Sequence, residues 1–193
     1  MTTEIYSALE KLEIWDADDN MDIDYVKSSP LFQFLDKIHS FDREILDFIL
    51  YNTCQRVIPS WEFNCKDEEL RPALFAMRQY LQKSLKKDNL EKYNIEIKSP
   101  KFDCTYSDTS GASRTLFHSV KSILHDSILF ATYAISDADI ANTNNFYKWF
   151  TEIAIPVSFD KKFCNCEQTK KYAYNEYDIL YDSLFIQLDS QRK

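Results

Sequence analysis

Three histidines, His39, His118 and His125, supply all the imidazole in this chain, and two of them lie one heptad apart. His125 is followed directly by Asp126, a pair of side chains that metal-dependent hydrolysis of phosphate esters can use as ligands. Such a site needs a further histidine well upstream and an aspartate downstream. His118 and His125 share a helical face at i and i+7 but stand about 10 Å apart along the axis, too far to hold one ion together. That face lies opposite an apolar stripe of Leu116, Val120, Ile123, Leu124 and Ala131. Packing against a neighbouring helix and contact with a partner are therefore the other roles open to the two histidines.

The run Asp16-Ala-Asp18-Asp19-Asn20-Met-Asp22-Ile-Asp24 places oxygen ligands at positions 1, 3, 5, 7 and 9 of a calcium loop. Position 6 needs glycine for its turn and has Met21; position 12 needs a bidentate glutamate and has Lys27. A solvated acidic linker is the simpler reading. The five cysteines, Cys54, Cys65, Cys104, Cys164 and Cys166, include no Cys-x-x-Cys, so they read as reduced thiols and not as a zinc or redox site. There is no Gly-x-Ser-x-Gly. The single glycine, Gly111, rules out a dinucleotide fingerprint and a Walker loop, both of which need several. No catalytic residue, metal ligand or cofactor is expected.

Scarce glycine also disfavours sandwiches and barrels, which rely on positive-φ turns, and points to helices. The fold class read from the sequence is all-α: six or seven helices around an aromatic core. Ile5, Leu9 and Leu12 predict a helix over residues 3–14, followed by an acidic linker over 15–28. Ser29-Pro30 reads as an N-cap with proline in the first turn, opening a helix through Leu31, Phe34, Leu35 and Ile38. Ser40 is expected to cap the next, with Ile45, Phe48, Ile49 and Val57 inward and Pro59 ending or kinking it. A helix opened near Pro72 should run to about Lys87. Residues 88–111 read as a loop with a short strand as the alternative. Gly111 serves as the opening turn of one long central helix over 112–137. Asn144 opens another that Pro156 interrupts, and a last helix covers 168–189. Residues 1–28 form an acidic N-terminal helix and linker, packed on an all-α domain over 29–193.

The net charge of −8 is uneven. Residues 1–36 carry nine acids against Lys11 and Lys27, and the remainder is close to neutral. This balance argues against direct nucleic-acid binding, which needs a basic footprint. An acidic patch would steer a cationic partner. Met1 to Trp15 lacks the basic and apolar regions of a secretory signal, and no run of about 18 apolar residues offers a membrane span. The expected location is the cytoplasm.

The densest signal is Cys54-Gln-Arg56-Val-Ile-Pro59-Ser-Trp61-Glu62, then Asp67-Glu68-Glu69-Leu-Arg71-Pro72. It describes a helix end, an acidic turn and a new helix opened by Arg-Pro. Arg71 at a helix N-terminus opposes the macrodipole, so a carboxylate must offset it; Glu62, Asp67, Glu68 and Glu69 are the candidates. This pattern of Cys, Arg, Pro, aromatic and Glu, then acids, Arg-Pro and an amphipathic helix, resembles bacterial immunity proteins of polymorphic toxin systems, in the fifth numbered immunity family. The likeness covers about residues 42–140. A later helix with two histidines in that family matches His118 and His125. Members are richer in alanine and glycine; this chain has Ala73 where a basic residue follows Arg-Pro, and Phe117 where glycine precedes the first helix histidine.

The resemblance implies a protein that binds a cognate toxin by occlusion, without catalysis. From charge alone the toxin would be basic, such as a nuclease. The expected contacts are Asp16, Asp18, Asp19, Asp22 and Asp24, the acidic turn Asp67, Glu68, Glu69 and Arg71, and His118 with His125. Arg56, Pro59, Trp61, Glu62, Arg71 and Pro72 form the structural motif. The alternatives are a metal-dependent phosphohydrolase of HD type using His125 and Asp126, and a helical adaptor.

Overall fold

A computed structural model describes residues 2–12, 23–65, 69–93, 107–141 and 146–164. Every regular element among them is helical. In chain order these are α1 (Thr3–Leu9), α2 (Ile23–Ser28), α3 (Pro30–Phe41), α4 (Arg43–Cys65) and α5 (Arg71–Leu81), then a 3-10 turn (Lys87–Tyr93). They continue with α6 (Ser107–His125), α7 (Ile128–Ala141), α8 (Phe146–Trp149), a π-helical turn (Phe150–Ala154) and α9 (Ile155–Phe159). The all-α reading holds, with more and shorter segments than the six or seven expected. The expected helix over 168–189 lies outside the described residues. No helix among the described residues is long and apolar enough to cross a membrane.

The centre of the fold is α4 and not the expected helix over 112–137. From Ile45 to Pro59 every residue of α4 is buried, because α3, α5, α6, α7 and α9 all pack on it. Pro59 does not end this helix, which continues to Cys65. The chain over 112–137 is instead a helical hairpin. Asp126 adopts a left-handed φ of 53°, which aspartate tolerates better than most residues, and the backbone reverses there. Ser122 accepts from the Ser127 N–H at 3.1 Å and its hydroxyl donates to the Ser127 carbonyl at 2.8 Å, so the turn closes on itself.

Small residues bring α6 and α7 together. Ala112, Ser113, Thr115, Ser119 and Ser122 on one helix, and Ala131, Ala134 and Ala138 on the other, are all buried. Gly111 belongs to this interface. It lies within α6, not in a turn before it, and its φ is not positive. A Cβ there would stand 2.8 Å from the Asp137 carbonyl oxygen and 3.0 Å from the Ala141 Cβ. Glycine is used here for close backbone approach.

Other expectations are met or shifted by local chemistry. Ser29 caps α3, its hydroxyl accepting from the Phe32 N–H at 3.1 Å, and Leu31, Phe34, Leu35 and Ile38 are buried. Asp42 takes the role expected of Ser40: it is extended, ends α3, and accepts from the Glu44 N–H at 2.9 Å. The helix opened by Pro72 stops at Leu81, short of Lys87, and Lys83 has a φ of 61°. The start of the expected 88–111 loop belongs to the 3-10 turn, and its end belongs to α6; residues 94–106 are not described. The expected linker over 15–28 ends in a helix, α2. Pro156 is accommodated rather than breaking the chain direction: the π-helical turn precedes it, with the Ile155 N–H bonded to the Phe150 carbonyl. Below α4, Phe146 stacks on Phe150 and packs against Trp149, which carries Arg56 at 5.7 Å from its ring centre.

Candidate functional site

A central helix buried on all sides must satisfy the polar groups it carries, and α4 carries several. Asn52 donates to the Ser158 hydroxyl at 3.0 Å and to the Lys162 carbonyl at 3.2 Å, and accepts from the Cys164 N–H at 2.9 Å. It fastens the segment after α9 to the core. The Cys54 thiol donates to the Ser119 hydroxyl at 3.2 Å, and burial pushes it up to about 12, so it stays protonated and unreactive. Burial does the same to Cys164.

The motif at the end of α4 is a corner. Glu62, buried on α4, receives the Arg71 Nε–H at 2.5 Å and Nη2–H at 3.4 Å. Of the four carboxylates considered for Arg71, Glu62 is one that pairs with it. Leu70 gives α5 no side-chain cap, so the Glu62 charge beside this N-terminus offsets both the arginine and the uncapped amides. Arg56, Pro59, Trp61 and Glu62 are all buried. The corner is architecture, as the structural reading of the motif expects. Glu69 stands exposed beside it; Asp67 and Glu68 lie outside the described residues, as do Asp16, Asp18, Asp19 and Asp22. Asp24 is exposed on α2.

Arg43 forms a polar hub that the sequence did not single out. Its Nη2 lies 2.9 Å from Asp47 Oδ1 and donates to the Ser122 carbonyl at 2.9 Å; its Nε lies 3.3 Å from Asp126 Oδ1. Asp126 also meets His39 Nε2 at 3.0 Å, and Asp47 accepts from the Tyr80 hydroxyl at 3.2 Å. One guanidinium thus caps the C-terminus of α6 and ties α3, α4 and α5 to the hairpin turn. Burial raises Asp47 to about 6 against the pull of Arg43. The hydrogen bond from His39, with Arg43 adding to it, holds Asp126 below the usual carboxylate range. Glu44, beside the hub, is lowered by its bonds to Lys161 and Lys83. Asp126 therefore turns to His39 and Arg43, not to its neighbour His125. Among the described residues no group of three His, Cys, Asp or Glu side chains is arranged to hold a metal ion.

The two helix histidines lie on the outer side of the α6–α7 hairpin. His118 Nδ1 is 2.7 Å from Asp137 Oδ2, and Arg114 Nε is 2.9 Å from Asp137 Oδ1. Asp137 is a buried acid on α7, among buried Ala134, Ile135 and Ala138; an acid at an inward position of a helix is the sequence cue for a partner. The His118 ring stacks on Phe130 at 6.0 Å and meets Tyr133 at 5.4 Å. His125 is exposed and reaches the same Phe130 ring at 6.1 Å. Phe130 thus links the two histidines into one strip, although they share no ion. His118 is packed against a neighbouring helix, and His125 is presented to solvent.

No family model matches this chain, and no curated protein or solved structure matches it either.

Proposed function

We propose that this chain is an immunity protein: it binds a cognate toxin and silences it by covering the toxin's working surface, with no chemistry of its own. The observation that carries the reading is on the N-terminal helices. Tyr6, Ile23 and Tyr25 are 56%, 50% and 54% exposed, and Glu4, Glu10 and Asp24 stand exposed among them. Both helices pack on α3. Tyr147, also exposed, lies beside this region and donates to the Leu12 carbonyl at 2.7 Å.

Large side chains left in water among carboxylates suit a protein interface with a basic partner. Tyrosine offers contact area at small entropic cost, and the acids steer the encounter. The motif between Arg56 and Pro72, on which the resemblance to immunity proteins rests, is formed here as one corner by the Glu62–Arg71 pair.

The test is co-expression with candidate toxin domains, starting with any encoded beside this gene. The chain should restore growth and form a stoichiometric complex. The triple variant Glu4→Lys, Glu10→Lys, Asp24→Lys, which changes only exposed positions, should slow association by about tenfold or more at low salt. Association that is unchanged by this variant and by salt rules out the acidic face as the toxin contact.

A further inference from the structure

The strip on α6 and α7 has a chemistry opposite to that of the N-terminal face. Its floor is three half-buried rings: Phe117, Phe130 and Tyr133. Phe117 meets His118 edge-on at 5.2 Å and carries the Lys121 ammonium 5.6 Å from its centre. Among the described residues the carboxylate in contact with this group is Asp137, which Arg114 and His118 occupy. Among the described residues, nothing on the chain pairs with the Lys121 ammonium, the Tyr133 hydroxyl or the His125 ring nitrogens. Asp137 holds His118 by Nδ1, so Nε2 is the nitrogen left for a ligand. In a chain of net charge −8, this is a local concentration of donors and cations with an aromatic floor and no acid to spare.

We propose that this strip is a second recognition surface, and that it takes an acidic peptide segment of a protein partner. Carboxylates meet Lys121, His118 Nε2 and the Tyr133 hydroxyl, and an apolar side chain lies on Phe130. Nucleic acid is the less suitable occupant, because it needs several phosphate contacts and Lys121 is a single permanent cation. The surface does not depend on toxin binding, and it is tested without a toxin.

The probe is a fluorescent peptide of alternating glutamate and leucine, titrated with the full chain at low salt. Saturable binding in the range of about 10–100 µM is expected. Lys121→Glu should weaken it about tenfold, and His118→Gln should weaken it severalfold. Thermal unfolding of both variants shows that the fold is kept. No saturable binding at about 1 mM peptide overturns the proposal. So does equal affinity for a lysine–leucine peptide, or binding of oligothymidine in place of the acidic peptide.

Discussion

His39 with Asp126 and His118 with Asp137 are built from the same parts, an imidazole, a carboxylate and an arginine, yet they face opposite ways. In the first, Arg43 points inward. It spans from Asp47 to Asp126 and caps α6 through the Ser122 carbonyl, so its Nη2 and Nε are consumed by the fold. In the second, the carboxylate is the buried member and the imidazole is the outer one. Arg114 and His118 serve Asp137 from a single helix, and the far side of the ring stays available. A polar cluster whose bonds join several elements is structural; one whose bonds are local, with donors to spare, can receive a ligand.

The largest effect that separates the two clusters should come from their arginines. Arg43→Met strips the counter-charge from buried Asp47 and should cost about 3–5 kcal/mol in urea unfolding. Arg114→Met leaves Asp137 its histidine and should cost about 1–2 kcal/mol. Equal losses would erase the distinction between hub and strip.

The pH dependence comes next. Asp47 holds its proton more tightly folded than unfolded, its value being raised to about 6 from 3.8. Its contribution to stability is therefore fully present below about 4 and lost as pH rises through 6, by roughly 3 kcal/mol. Asp126 and Glu44 are lowered, so their contributions run the other way, present at neutral pH and lost as acid protonates them; both lie near the surface and add little. Unfolding free energy should fall from pH 5 to pH 7, and Asp47→Asn should flatten that slope. A slope unchanged in the variant means that Asp47 is not the titrating group.

Smaller still is Gly111→Ala. The helix gains about 1 kcal/mol of intrinsic propensity, but the new methyl meets backbone of α7 at 2.8 Å and should cost about 1–3 kcal/mol. A net loss of up to about 2 kcal/mol is expected. A gain in stability would show that the hairpin is not closed by that contact.

Local signals in the sequence were readable, and distant ones were not. Ser29-Pro30 gave a helix start because cap and proline act within one turn. The stripe Leu31, Phe34, Leu35 and Ile38 gave a buried face because its spacing is helical. Pro59 misled because the central helix is held by burial on all sides, which outweighs the break a proline makes in isolation. The hairpin at Asp126 was missed because its apolar pattern continues across the turn and no glycine or proline marks it. Gly111 reads locally as a turn residue; its reason lies in α7, at Asp137 and Ala141. Glu62 was among the named partners of Arg71, being only nine residues away. The hub at Arg43 joins residues as far apart as His39 and Asp126, a pairing that only the fold creates.

The reading as an immunity protein is tested most directly by the stability of a complex with the neighbouring toxin domain, measured by calorimetry. The account predicts one-to-one binding with a Kd in the nanomolar range or tighter, with toxin activity lost in proportion to occupancy. It also predicts weaker binding for the Glu4→Lys, Glu10→Lys, Asp24→Lys variant. A toxin that retains full activity in the presence of saturating folded protein would contradict it.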